Sequence, residues 1–390
     1  VITIKKEVLA SGEVRWRARG VSVGKDPRTG KRRQRTISGP TKKAVQAELN
    51  RLGVAVDRGT YRAPFHGLVP EVIDSYLASG AIGWEANTRL SYANALAPAA
   101  EWFAHRRARD VTREDVERFR DHLRTAGRKR GGKPGTGLSA RSVNLSLGQL
   151  QAAYDLAERD GKVAANPVRW VRRVKAERSE RDTWTEEQVR RFLAAAAGDR
   201  LHACWLLSAL GLRREEVLFL RWGGVSFTDG TVTIAGGRVL VGGEVIEKGA
   251  KSQRGYRTLP LFPALTAALE ALYARQAAER TAAGAAYAGD VDNGYVCADE
   301  LGRPLHPERY SDEFGRLCAQ AGLPKCRLHD CRHSVNSLLE KLGVPDSVRA
   351  RWFGHTVAVN TGVYTHASAA DLGVISNALG ELFKADVSKV

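Results

Sequence analysis

The chain has 390 residues, 43% of them hydrophobic and 27% charged, a globular composition long enough for two or three domains that excludes a disordered or low-complexity protein. No apolar run approaches the ~18 residues of a membrane span and none reads as a signal peptide, so a cytosolic protein is expected. The five cysteines, odd in number and all between Cys204 and Cys331, do not form a disulfide framework, and the net charge of +18 points to a polyanionic partner, nucleic acid first.

The charge is uneven: residues 1–62 hold sixteen Lys/Arg against five Asp/Glu. In VRWRARGVSV, Val14, Trp16 and Ala18 alternate with Arg15, Arg17 and Arg19, a period of two that predicts a strand with one apolar and one arginine face. The turn GKDPRTGK and a returning strand RRQRTI follow, carrying Lys31, Arg32, Arg33 and Arg35. TKKAVQAELNRLG predicts a helix capped by Thr41 and stopped at Gly53. A sheet whose arginines share one face could sit in a DNA groove; a solvated, solubilising face is the alternative.

Residues 66–170 predict an all-helical region. EVIDSYLAS, ANTRLSYANALAPAAEWFAHR, TREDVERFRDHLRTA and SARSVNLSLGQLQAAYDLAERDG each carry apolar residues at helical spacing, with Thr112 and Ser139 as caps. Between the third and fourth lies GRKRGGKPGTG, a basic glycine-rich loop that either contacts phosphate or moves freely at the surface. Pro167 and the charge run after it read as an interdomain linker. A new domain opens at TWTEEQVRRFLAAAA with a Thr185/Gln188 capping box. It continues through a helix to Trp222, strands and turns from about 225 to 260, and helices beyond.

CRLHDCRH, Cys326 to His333, holds soft ligands and cations together. A structural zinc site needs a second ligand pair, which the sequence does not supply, and Arg327 and Arg332 would repel a dication. Phosphate chemistry fits better. His329 and Arg332 are three apart in the first turn of a predicted helix buried through Val335, Leu338, Leu339 and Leu342, and both are expected on the same side. A helix N-terminus favours an anion, arginine grips phosphate oxygens in a planar fork, and histidine moves protons near neutral pH.

Three further segments stand in order around it. ALGLRREEVLFLRW has Arg213 and Glu216 one turn apart, GAKSQRGYRTLPL puts Lys251 before a turn and strand, and WFGHTVAVNTGVYTH holds His355 and Tyr364. Together they resemble the tyrosine recombinase family of phage-type integrases. LGLRREEV resembles the first arginine box, HDCRH the His-x-x-Arg box, FGH the Leu-Gly-His box and NTGVYTH the tyrosine box. Cys331 and Phe353 stand where the family usually has leucine, and Leu210 where threonine is common.

The resemblance implies roles. Tyr364 would be the nucleophile that makes a 3′-phosphotyrosine and frees a 5′-hydroxyl. Arg213 and Arg332 would clamp the phosphate, His355 would add a hydrogen bond, His329 would assist proton transfer, and Lys251, with Lys248 as its rival, would protonate the departing 5′-oxygen. Glu216 would orient Arg213 or support the fold. No cofactor is implied, neither ATP nor metal, because the covalent link conserves the energy of the broken bond. Cys326, Cys331 and His333 would be packing or structural residues.

The resemblance further implies a mainly α multidomain protein: an N-terminal three-stranded sheet plus helix, a helical core-binding domain and a mixed α+β catalytic domain. The expected division is an arm-type DNA-binding domain 1–62, a core-binding domain 66–170, a linker 171–182, a catalytic domain 183–375 and a tail 376–390. A C-shaped clamp on double-stranded DNA at core and arm sites, a homotetramer on DNA, DNA-bending or directionality factors, and a cytoplasmic place in a bacterial host are expected with it. The amphipathic stretch Leu372 to Phe383 would pack on a neighbour or on its own domain. The competing readings are a type IB topoisomerase-like enzyme and a DNA-binding regulator with a degenerate recombinase domain; the complete residue set argues against the second.

Overall fold

The computed structural model describes residues 2–25, 30–58, 65–80, 83–129, 132–175, 183–249, 255–290, 293–324, 326–354 and 369–382. The chain forms two compact units, Val1–Ala176 and Glu177–Val390. Buried apolar side chains fall into three clusters among the described residues, two in the first unit and one in the second.

The N-terminal cluster lies under an antiparallel sheet of β1 (Ile4–Val8), β2 (Val14–Lys25) and β3 (Arg32–Gly39), paired in that order. The helix α1 (Lys42–Asp57) packs on it, its first turn capped where Thr41 Oγ1 accepts the Ala44 N–H at 3.1 Å. This helix runs through Gly53, contrary to the expected stop. A mid-helix glycine costs ~1 kcal/mol, which burial of Leu52 and Val56 against the sheet offsets.

The single arginine face is also corrected. The register of β2 on β3 slips between Ala18 and Val21, where Gly20 sits at φ +69°. Even positions bury before this bulge (Trp16, Ala18) and odd positions after it (Val21, Val23). Arg35 pairs opposite buried Val21, so Arg35 and Arg33 stand on the sheet's core side, while Arg15, Arg17 and Arg32 stand on the outer side. Arg19 lies in the bulge and Lys31 precedes β3.

The second cluster joins α2 (Val69–Ser79), α3 (Ala86–Trp102), α4 (Arg113–Thr125) and α5 (Ala140–Arg159) around Leu96, Phe119, Leu147, Leu150 and Tyr154. Thr112 and Ser139 cap α4 and α5 as expected. Asp115 completes a capping box on Thr112 and pairs with Arg106 and Arg118; the Thr112 N–H above all draws its pKa down to about 2. The basic loop is tied across its base by the Arg128 N–H on Thr136 O at 2.8 Å, with Arg130 and Gly131 outside the described residues. The segment read as linker begins packed: Val171 is buried in this cluster, and Asn144 exchanges hydrogen bonds with the Val174 backbone.

In the second unit, α6 (Glu186–Ala196) carries the Thr185/Gln188 box, followed by α7 (His202–Ala209) and α8 (Arg214–Phe219). The strands β4 (Val225–Ser226) and β5 (Thr231–Ile234) precede a hairpin of β6 (Gly236–Val241) and β7 (Glu244–Gly249). After it, β8 (Arg257–Pro260) pairs back on β5. α9 (Pro263–Ala283), α10 (Pro307–Gln320), α11 (Leu328–Lys341), α12 (Asp346–Phe353) and α13 (Ala369–Leu382) complete it. Trp205, Trp352, Tyr310, Phe192 and Phe314 centre the core.

Two expectations change here. The helix expected to run to Trp222 is broken after Leu210, where Gly211 takes φ +82° and an added Cβ would stand 2.4 Å from Phe353 Cε1. α13 crosses the boundary set at 375: Leu372, Ile375 and Leu379 are buried in the same cluster as α12, so the helix packs on its own chain. No described helix is long and apolar enough to cross a membrane.

Candidate active site

The break at Gly211 makes Arg213 the N-cap of α8, and Glu216 at N3 bends back to it. Glu216 Oε2 accepts the Arg213 backbone N–H at 2.8 Å, and Oε1 accepts Arg213 Nη1 at 2.7 Å. The same carboxylate accepts both Nη groups of Arg257, each at 3.0 Å, in a two-pronged pair. Arg257 opens β8 and its Nε donates to Trp352 O at 2.7 Å. Glu216 and Arg257 are both under a tenth exposed. Burial alone would raise the Glu216 pKa, but the hydrogen bonds and charge of Arg257, with Arg213, hold it below the usual carboxylate range.

Arg332 enters from α11, four per cent exposed. Its Nη1 donates to Gly211 O at 2.6 Å and its Nη2 to Phe353 O, with the Phe353 ring 4.9 Å from the guanidinium carbon. Burial first, then the neighbouring charge of Arg213, lowers its pKa to about 9. The end of α12 is tied in twice more: Trp352 Nε1 donates to Leu210 O at 3.0 Å, and Arg213 Nη2 reaches Gly354 O at 3.5 Å. Three guanidiniums thus surround one carboxylate in a largely dry setting, an excess of positive charge that an anion would relieve. Arg213, 30% exposed, is the one open to solvent.

Residues 183–371 match the family described as the phage integrase family. Over 352 residues the chain is 25% identical to the ICEBs1 integrase of Bacillus subtilis, spanning 89% of this chain and 92% of that protein. Over 265 residues it is 27% identical to a tyrosine recombinase XerC-like protein of Caldanaerobacter subterraneus subsp. tengcongensis, 63% of this chain and 68% of that one. Residues 183–371 therefore form a domain of the phage integrase family. Its fold is similar to the Tn1549 transposon integrase solved with transposon right end DNA: TM-score 0.62, 18% identity, 80% of this chain and 99% of that one. It is also similar to lambda integrase solved as a tetramer bound to a Holliday junction: TM-score 0.54, 16% identity, 92% and 98%.

In this domain the first and second boxes meet, because Arg332 binds the carbonyl two residues before Arg213. His329 is exposed in the first turn of α11, its ring edge-to-face with His333 at 4.8 Å, while Arg332 turns inward. Over the three residues between them the helix passes from a solvent-exposed position to a buried one. Leu342 is 58% exposed rather than buried, and Leu328 and Cys331 take its place in the packed face. Cys331 is fully buried and Cys326 half-buried; burial raises both thiols, Cys326 to about 11. Among the described residues no His/Cys/Asp/Glu group is placed to hold a metal ion. Lys251, His355 and Tyr364 lie outside the described residues; Lys248 is on β7.

Sequence reasoning missed Arg257 and Trp352. Arg257 had a signal, a lone cation opening an apolar strand in GYRTLPL, which a half-buried sheet tolerates only if a carboxylate meets it. Trp352, in WFGH, has no local signal that marks its bond to Leu210 O.

Proposed function

We propose that this protein cuts one strand of duplex DNA through Tyr364 and rejoins it to a new partner, integrating or excising a phage or other mobile element. Tyr364 Oη bonds to the scissile phosphorus as the bond to the 5′-oxygen breaks, leaving a 3′-phosphotyrosine. Arg213 and Arg332 stabilise the charge that grows on the non-bridging oxygens, and His355 donates a further hydrogen bond. His329 assists proton transfer at the nucleophile, and Lys251 gives the 5′-oxygen its proton. Glu216 and Arg257 hold Arg213 in aim rather than touch DNA.

The observation that carries this reading is the Arg213–Glu216–Arg257 bonding with buried Arg332 held beside it on Gly211 O, an excess of positive charge in one place. The N-terminal sheet and helical bundle are read as arm- and core-site binding domains, supported by the basic outer edge of the sheet. The partners proposed are core and arm DNA, a homotetramer on paired sites, and accessory bending or directionality factors, in the cytoplasm of a bacterial host. The test is a nicked or supercoiled DNA carrying the element's own junction, in EDTA. A denaturation-resistant protein–DNA adduct with the native chain, absent with Tyr364→Phe, is expected. An adduct in both, or in neither on DNA the protein binds, overturns the assignment of Tyr364.

A further inference from the structure

The hairpin β6–β7 leads to Lys251 and is held from outside by a polar node that the roles above do not use. Glu247 on β7 faces Arg238 on β6 in register, and its Oε1 lies 3.6 Å from Arg238 Nε. The Tyr295 hydroxyl donates to Glu247 Oε1 and accepts Arg221 Nη2 at 2.6 Å, and that same Nη2 reaches Glu247 Oε2 at 3.3 Å. The two guanidiniums also lie against the Tyr295 ring, Arg221 at 4.1 Å and Arg238 at 5.6 Å from its centre. Both hydroxyl functions of Tyr295, donor and acceptor, are therefore engaged.

The node is anchored on core structure. Arg221 follows α8 and bridges Tyr295 by backbone pairing, while the adjacent Val296 is fully buried and its N–H donates to Leu220 O at 2.9 Å. Arg238 Nη1 also donates to Leu305 O at 2.8 Å. At its root the hairpin is pressed on α8: a Cβ on Gly236 would stand 2.4 Å from Lys248 O and 2.7 Å from Phe219, and one on Gly237 would stand 3.1 Å from Glu215. β7 is thus fixed by its side chain at Glu247 and by the close approach of Gly236 to Lys248 O, one residue before the strand ends at Gly249, itself two residues before Lys251 in the sequence.

We infer that the Arg221–Tyr295–Glu247 node is a positioning device for the proton-donating lysine, fixing the strand that leads to it relative to the helix that Arg213 caps. The inference rests on the proposed role of Lys251. Tyr295 and Glu247 are positioning residues: neither would touch DNA, and their loss would weaken only the step in which the leaving oxygen takes its proton.

The test compares two forms of the same nicked junction duplex, one with the ordinary 5′-bridging oxygen at the scissile phosphate and one with sulfur there. A thiolate leaves without protonation, so the sulfur substrate removes the need for the acid. Tyr295→Phe deletes one hydroxyl and keeps the ring against both arginines. It should slow cleavage of the oxygen substrate about tenfold, the scale of one lost charge-assisted hydrogen bond, and leave the sulfur substrate at the native rate. Glu247→Gln should give the same pattern more weakly, and Lys251→Ala the same pattern more strongly. Equal slowing on both substrates, or no slowing, overturns the inference while a rescued Lys251→Ala keeps the lysine's role intact. Lys251→Ala unrescued by sulfur overturns that role and the inference with it, and rescue of Lys248→Ala instead would move the acid to Lys248.

Discussion

Glu7 and Glu216 each sit between two arginines, and burial separates what they do. Glu7, on the N-terminal sheet, accepts Arg17 at 2.9 Å and Arg19 at 2.8 Å with Arg19 more than two-thirds exposed. Glu216 accepts Arg213 and Arg257 at similar distances with Glu216 and Arg257 nearly sealed from water. Exposed charges are screened and contribute little to the fold, so the sheet's arginines remain available to a polyanion. Buried charges depend on one another, so the second group fixes the direction in which Arg213 points.

The strongest way to break this comparison is to remove each carboxylate. Glu216→Ala leaves Arg257 buried and unpaired and should cost ~3–5 kcal/mol in urea unfolding of the second unit. A loss below about 1 kcal/mol would mean the site is wetter than its burial implies. Gly211→Ala comes next, at about 2–3 kcal/mol, because it strains a positive φ and drives a methyl into Phe353. A lower melting temperature and slower adduct formation should appear together; slower adduct formation at native stability would assign the effect to the Arg332 carbonyl contact alone.

Acid sharpens the same contrast. Glu216 and Asp115 both have folded pKa values below their unfolded ones, so each adds stability above the free carboxylate pKa of about 4 that is lost as pH falls through the folded value. For Asp115 the window runs from about 4 down to about 2, and Asp115→Asn should cost the helical bundle about 2 kcal/mol at pH 7. The gap between native and Glu216→Gln unfolding free energies should likewise shrink as pH drops below 4; a constant gap would count against the ion pair. The smallest stability effect belongs to Glu7→Gln, at most about 1 kcal/mol. Removing its negative charge should tighten binding to arm-length duplex at low salt, an effect that fades at high salt, and a stability change larger than that would place Glu7 with Glu216.

The Arg213–Glu216 pair was legible because three-residue spacing on a helix puts side chains within reach. Arg257 was not, since its partner lies forty-one residues away in sequence and nothing local marks the contact. Arg332's inward turn was hidden because helical periodicity classes arginine with the solvent face, whereas two carbonyls from other segments draw it inside. Gly211 and Gly20 both carried the clue of an isolated glycine in a regular pattern. One breaks a helix and the other a strand's alternation, while Gly53 with the same clue does neither. What decided each case was the packing available on either side.

The docking of α13 sets a leash. Its first residue, Ala369, follows Tyr364 by five residues, and at ~3.6 Å per residue the two Cα atoms can be no more than about 18 Å apart. Gly354, bonded to Arg213, holds the other end ten residues upstream. With both ends tied to one core, Tyr364, in the nucleophile's role proposed for it, would reach the arginines of its own chain by tether rather than by encounter, and its effective concentration there would be a property of chain length. Once DNA is saturated, the rate of adduct formation per bound protomer should then not change with protein concentration.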